Sequence, residues 1–464
     1  MIGVIISLLV TVLMVRVLLK HYKPQFVLFV SGLIMLFAAI VLDLMGLLPG
    51  GLHILPKKAV STGFVGFDPF KAISSIFSSR VAGLGLIIMS AAGYARYMSM
   101  IGASARMAEF MSKPLQKLKS PYLVLTSSYL VGQIINIFIP SASGLAMLLM
   151  VTMYPVLVRL GVSPLSAAAL VATSGCLDLG PASGNANLAA RNGGMDTMVY
   201  FVDYQIPVSI FVASTIAVLH YFTQKYFDGR DGDRAWKAGD QKAIEESALN
   251  THGAPFFYTF LPMLPLVLLF VFSKFLVTSI KLDVPTAMIF SLAIAMVCEC
   301  VRHPIKKVFD EAMSFFDTMG TQFARVVSLV VAGEIFAQGL IATGSVDYLI
   351  DFTKSLGLSG IAIMVVMTVF ITVISVVMGS GNAPFFAFAP LVPDFAKEFG
   401  VSTVSLILPM QFATSLGRTV SPITAVIIAV AGASGISPFE IIRRTAIPMM
   451  GALLVTMVCA VIFA

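Results

Sequence analysis

Four short runs of small polar residues interrupt otherwise apolar stretches of this chain, and they carry nearly all of its candidate chemistry. Pro140-Ser141-Ala142-Ser143-Gly144 and Gly379-Ser380-Gly381-Asn382-Ala383-Pro384 each fall near the middle of an apolar segment about twice the length of a membrane span. Each reads as the tip of a helical hairpin that enters the membrane and returns. They offer Ser141, Ser143, Ser380 and Asn382. The runs from Thr173 to Asn187 and from Thr414 to Thr424 read as helices unwound at mid-membrane. The first carries Thr173, Ser174, Asp178, Ser183, Asn185 and Asn187; the second carries Thr414, Ser415, Arg418, Thr419, Ser421 and Thr424. Backbone facing lipid must satisfy its own hydrogen bonds, so irregular chain at that depth is tolerated only where it lines a cavity. Free amides and helix N-termini there suit anions, and free carbonyls suit cations.

Arg418 is the sharpest single residue. A cation at this depth costs about 3 kcal/mol on insertion scales, and its planar fork matches a carboxylate. Its counterpart in the first break is Leu177, so the repeat does not require a charge there. A structural ion pair or a side chain reaching to the inner surface would also account for it. Three roles suit Asp178: binding a coupling cation, carrying a coupling proton, or pairing with Arg418. Glu334, Gln338 and Arg96 read as subunit-interface or helix-cap residues, and Arg325, at the start of its span, as a snorkelling cation.

The elements that must position these groups follow from composition. Of 464 residues 58% are apolar and 11% charged, and mean hydropathy is +0.95. Soluble domains run at roughly 45–50% apolar and about 25% charged. This excludes a soluble enzyme, a nucleic-acid binder and a disordered chain, despite a net charge of +7. The fold class expected is an all-α polytopic membrane protein. Apolar segments fall at about 1–20, 24–48, 80–100, 120–160, 163–190, 200–224, 255–276, 284–301, 321–342, 359–399, 402–431 and 441–464. The first reads as a retained span, since no small-residue cleavage site follows it.

The two halves repeat. Ala172-Thr173-Ser174 recurs as Ala413-Thr414-Ser415, Pro181 as Pro422, and Ile206-Pro207 as Ile447-Pro448, all 241 residues apart. Ala95 and Gly102 recur as Ala337 and Gly344 at 242. We expect a first repeat over 1–226, a polar cytoplasmic linker over 227–254 and a second repeat over 255–464. Each half holds five crossings, an odd number, so the repeats should be inverted. With both termini outside, the inner loops collect Arg106, Lys113, Lys117 and Lys119, then Lys225, Arg230, Arg234, Lys237 and Lys242, then Arg302, Lys306 and Lys307. Outer segments carry Lys57, Lys58, Lys274 and Lys281 among others. Amphipathic stretches near 67–79 and 303–318, and again near 103–116 and 345–356, suit helices lying at the interface, as connectors or as arms around a moving part.

Catalysis finds no support: there is no Walker loop, no HExxH pair and no Gly-x-Ser-x-Gly elbow. The five histidines are scattered and the four cysteines lie in apolar stretches, so neither a metal site nor a disulfide framework is expected. Missing nucleotide motifs argue against ATP-driven transport.

The segments MGSGNAPFFAFAPLVP (378–393), LPMQFATSLGRTVSPITAV (408–426), SPFEIIRRTAIP (437–448), KPLQKLKSPYLVL (113–125) and SASGLAMLLMVTMYPVLV (141–158) resemble the anaerobic four-carbon dicarboxylate carriers of the DcuC/DcuD type. That family belongs to the ion transporter superfamily. The resemblance implies inverted repeats, a homodimer and elevator-type movement. It also implies a carboxylate and cations bound by the tips (Ser141, Ser143, Ser380, Asn382) and the breaks. The tips read Ser-Ala-Ser and Ser-Gly-Asn where sodium-coupled relatives carry Ser-Asn-Thr, a departure that leaves proton coupling, sodium coupling and exchange open. The leading expectation is a secondary carrier of succinate, fumarate or malate in a bacterial inner membrane, with no cofactor beyond a coupling proton or sodium ion. Another organic anion or amino acid on the same fold is the alternative, and an ion channel a more distant one.

Overall fold

The computed structural model describes residues 2–20, 22–48, 51–56, 59–118, 120–232, 235–236, 253–357 and 359–463. Most of the expected linker (233–234 and 237–252) lies outside the described residues, as do Lys57, Lys58, Lys119, Arg234, Lys237 and Lys242 of the charge pattern. Among the described residues every regular element is helical.

In the first half α1 (Ile2–Leu19) and α2 (Pro24–Leu44) precede α3 (Asp68–Arg80), α4 (Leu86–Met100) and α5 (Ala103–Ser112). The hairpin is α6 (Pro121–Phe138) and α7 (Ala142–Thr152), extended by α8 (Tyr154–Arg159). The broken helix is α9 (Pro164–Thr173) and α10 (Gly184–Asn192); α11 (Thr197–Tyr200) and α12 (Ile206–Asp231) close the half. The second half runs α13 (Leu264–Val271), α14 (Val284–Cys300), α15 (Ile305–Gln322), α16 (Ser328–Ala342) and α17 (Ser345–Ser355). Its hairpin is α18 (Gly360–Met378) and α19 (Asn382–Phe388), extended by α20 (Val392–Phe399). Its broken helix is α21 (Thr403–Arg418) and α22 (Ala425–Ser434), and α23 (Pro438–Phe463) ends the chain. Seven helices are long and apolar enough to cross a membrane, and shorter apolar helices make up the rest. The chain is a multi-pass membrane protein.

Two expectations are corrected. The amphipathic stretches before the third span of each half are not separate helices. Each runs on into its span, giving continuous helices over Asp68–Met100 and Ile305–Ala342. The joints are π turns at Val81–Gly85 and Phe323–Val327, 242 residues apart. A π turn widens the helix and rotates the side chains beyond it, so a polar-faced arm continues as an apolar span without a break. The second break is also shorter than expected. α21 continues through Thr414 to Arg418, and Thr414 Oγ1 donates to Gln411 O (2.7 Å) and Thr419 Oγ1 to Ser415 O (2.6 Å) of their own helix. The helix yields only before Pro422, which has no N–H and disfavours helical backbone before it. In the first break the chain leaves helix after Thr173 and turns through Asp178 (φ 52°) and Gly180 (φ 92°) before Pro181.

The helices pack as two bodies. One holds the early helices of both halves: α2 lies on α16, α4 on α15, and α14 on α4. Gly32 of α2 makes this crossing close, since a Cβ there would stand 2.6 Å from Ile335 O. The other body holds the hairpins, broken helices and final helices: α12 on α23, α18 on α21, α21 on α23, and α22 on α7. Across the seam α16 meets α19, α5 meets α7, and α4 meets α10.

Candidate functional site

At the first tip Ser141 Oγ accepts the Gly144 amide (3.2 Å) and so starts α7. Ser183 starts α10 in the same way through Ala186 N (3.2 Å). Side-chain acceptors at these positions fix where a helix begins. The first turns of both helices open on a single cavity of about 420 Å³ at the seam. Helix N-termini there favour negative charge.

This cavity brings together Ser141, Ser143, Asp178, Asn185, Asn382 and Arg418, drawn from both tips and both breaks. Asn185 joins them. Its Nδ2 donates to Asp178 Oδ2 (2.7 Å) and Asn382 Oδ1 (3.1 Å), and lies 3.5 Å from Thr414 Oγ1. Arg418 ends α21, and its one side-chain hydrogen bond among the described residues is long, from Nη2 to Gly175 O at 3.4 Å. Its buried Nε and the buried Oδ1 of Asn185 have no partner among the described residues. Arg418 and Asp178 line the same cavity without forming an ion pair. A guanidinium in no ion pair, with its Nε free, is suited to a carboxylate.

The other predicted residues lie elsewhere. Thr173 Oγ1 bonds His220 Nε2 (2.9 Å), and Ser174 Oγ donates to Leu170 O (3.0 Å). Asn187 donates to Pro181 O and Ser183 O, both at 2.7 Å, and ties the break to α10. Thr414, Ser415 and Thr419 are buried within and just after α21. Thr424 Oγ1 donates to Gly379 O (3.1 Å) and Arg418 O (2.5 Å), holding the second tip to the second break. Ser380 and Ser421 do not line the cavity, and Ser421 Oγ is buried without a partner among the described residues.

Several cavity-lining and cavity-bracing residues escape the sequence. Arg96 and Arg325 line the cavity from the other body, together with Ser99, Ser104 and Gln322. Helical spacing alone does not reveal which face of a span meets a cavity. Glu334 pairs with Arg80, and Gln338 Nε2 donates to His53 O (3.0 Å). Gln411 Nε2 holds Asp178 O (3.2 Å), while its Oε1 accepts Tyr200 OH (2.7 Å) and Gln205 Nε2 (3.0 Å). Gln205 Oε1 in turn accepts the Gly180 amide (3.2 Å). The signal for Gln411 was an amide inside an apolar helix, which is costly at membrane depth unless bonded. Ala182 lines the cavity, and its neighbour Pro181 lines a second one of about 600 Å³ that includes Lys274 and Lys281. Among the described residues no cluster of three or more His, Cys, Asp or Glu could hold a metal ion.

Comparison with known proteins bears on this site. The family model described as DcuC, C4-dicarboxylate anaerobic carrier, matches residues 2–464. The probable anaerobic C4-dicarboxylate transporter DcuC of Vibrio cholerae is 35% identical over 452 residues, covering 97% of this chain and 95% of the relative. The anaerobic C4-dicarboxylate transporter DcuC of Escherichia coli K12 is 34% identical over 458 residues, covering 98% and 96%. Among solved structures, the YdaH transporter of Alcanivorax borkumensis aligns with a TM-score of 0.62 at 15% identity, over 95% of this chain and 98% of that one. MtrF of Neisseria gonorrhoeae, from a class of antimetabolite efflux pumps, aligns at 0.62 and 13%, over 94% and 95%. At these identities the two structures share the fold with this chain and nothing more.

Proposed function

The chain belongs to the DcuC family of anaerobic C4-dicarboxylate carriers, and from that premise we propose that it is a secondary active transporter holding its dianion in the cavity between tips and breaks. Arg418 pairs with one carboxylate. Ser141, Ser143, Asn185, Asn382 and the first-turn amides of α7 and α10 hold the rest of the ligand. Asp178 is the seat of a coupling proton or sodium ion, unless charge is balanced by exchange for another dianion. The observation that carries this reading is the meeting of four irregular segments around one cavity with an unpaired guanidinium.

The chain is read as two inverted repeats, 1–226 and 255–464, joined by a cytoplasmic linker over 227–254. The matching π turns and the left-handed caps at Gly102 and Gly344, both pairs 242 residues apart, support the duplication. The odd count of crossings per half supports the inversion. The cavity lies at the seam between two bodies, which suits elevator-type alternating access: the tip-and-break body slides along the other and carries its ligand from one side to the other. Pro181 and Ala182, facing different cavities, are the thin wall between the two accesses. Family membership supports a bacterial inner membrane, and the distribution of Lys and Arg favours both termini periplasmic. A homodimer formed through the stationary body fits this arrangement.

Uptake of labelled succinate into proteoliposomes, with unlabelled fumarate, malate and amino acids as competitors, tests the reading. Accumulation that fumarate and malate suppress is the expected result. Succinate that is neither carried nor competitive would overturn it.

A further inference from the structure

The cavity is walled by two bodies, and the wall facing Arg418 carries two further arginines, Arg96 and Arg325, both exposed. Arg96 and Ser99 stand three residues apart on α4, so they share a face. One turn of chain later Ser104 lies in the first turn of α5, behind the left-handed cap Gly102 (φ 76°). Ser104 is only 2% exposed, and its Oγ has no hydrogen-bond partner among the described residues although it lines the cavity. Arg325 joins the same wall from the π turn before α16. Neither Arg96 nor Arg325 has a partner for its guanidinium among the described residues.

The repeat shows that the fold does not demand this chemistry. At the 242-residue offset Arg96, Ser99 and Ser104 become Gln338, Ile341 and Val346, and Arg325 becomes Gly83. The polar corner therefore exists in one half only. With Arg418, three guanidinium groups face one carboxylate, Asp178, across about 420 Å³. This cationic excess suits a dianion better than a monoanion.

We propose that the corner formed by Arg96, Ser99 and Ser104, with Arg325 beside it, is a second carboxylate subsite on the stationary wall, and that it selects dianions over monoanions when the cavity is loaded. The inference rests on the dicarboxylate reading above. One carboxylate engages Arg418 on the moving body while the other is held by the opposite wall, and the second contact is released when the body moves. The other half offers no equivalent corner, so this selection acts at one of the two accesses.

The test is equilibrium binding to the purified full chain, comparing succinate with butyrate, its monocarboxylate analogue of equal length. Wild-type protein should prefer succinate strongly. Arg96→Gln and Arg325→Gln should each weaken succinate binding about tenfold to a hundredfold, the worth of a charge-assisted contact. Butyrate binding should stay almost unchanged, so discrimination collapses. Ser104→Ala, which removes one oxygen and spares the fold, should give a smaller loss of the same kind. Arg418→Gln should lose both ligands together. Variants at positions 96, 104 and 325 that bind succinate as the wild type does, or that lose succinate and butyrate in equal proportion, would overturn the subsite and leave the transport reading standing. Wild-type protein that binds no succinate would overturn the transport reading first and this subsite with it.

Discussion

The amide Nδ2 of Asn185, in the first turn of α10, donates back to Asp178 Oδ2 of the unwound segment at 2.7 Å, and the same nitrogen reaches across to Asn382 of the opposite tip. One side chain thus fixes the orientation of the cavity's carboxylate and ties two irregular segments from different halves.

Replacing Asn185 by Ala should reduce succinate uptake about tenfold or more, since Asp178 then loses a charge-assisted bond. Asn185→Asp should be worse at neutral pH, because two carboxylates at hydrogen-bond distance repel each other. Uptake by Asn185→Asp should recover as pH falls and protonation relieves that repulsion, while Asn185→Ala should show no such recovery. Uptake measured across a pH series distinguishes the two.

Arg418→Ala should abolish dicarboxylate binding while the protein still folds. Arg418→Lys should also fall by about tenfold, because a point charge cannot reproduce the two parallel bonds of a guanidinium. Near-wild-type uptake by Arg418→Ala would remove this residue from the site.

Gly381 approaches α21 so closely that a Cβ would stand 2.2 Å from Thr414 O. Gly381→Ala should destabilise by about 1–3 kcal/mol, the usual cost of overpacking, and should lower uptake by shifting the second tip. Gly432→Ala is the control, with nothing within 4 Å of the new methyl. Thermal unfolding in detergent should separate the two variants clearly.

Arg444 is fully buried and bonds Asp228 Oδ1 (2.6 Å), Ser166 Oγ (2.9 Å) and Asp231 Oδ2 (2.8 Å), clamping α23 to α12 and α9. Removing one partner leaves a buried charge unpaired, at about 3–5 kcal/mol. Arg444→Met and Asp228→Leu should each lower the unfolding temperature markedly. The double variant should recover part of the loss, since neither charge then remains.

Cysteines placed at Ser143 and at Ser380, in protein lacking Cys176, Cys298, Cys300 and Cys459, should respond differently to impermeant reagents applied from the two membrane sides. Equal labelling of both tips from the same side would contradict inverted repeats.

The tips and breaks were legible because each places Pro, Gly and Ser where an uninterrupted span should run, as at Pro140, Pro181, Gly379 and Pro422. Arg418 stood out because charge inside an apolar segment is costly. The π turns carried no local signature: VAGLG and FARVV read as ordinary helix, and only packing reveals the widened turn. Thr173, Ser174, Thr414 and Thr419 looked like ligand groups because composition cannot distinguish a hydroxyl facing a cavity from one bonded to its own helix. The roles of Arg96 and Arg325 depend on the facing of two long helices across a seam. That facing is set by partners far away in sequence.

Gln411 braces the core of the tip-and-break body. Its side chain links the second broken helix to the carbonyl of Asp178, to Tyr200 and to Gln205. A clam-shell parting along the middle of the holder would strand these bonds together in a dry interior, at about 1–3 kcal/mol for each orphaned group. These bonds therefore tie the first break, Tyr200, Gln205 and α21 into one unit.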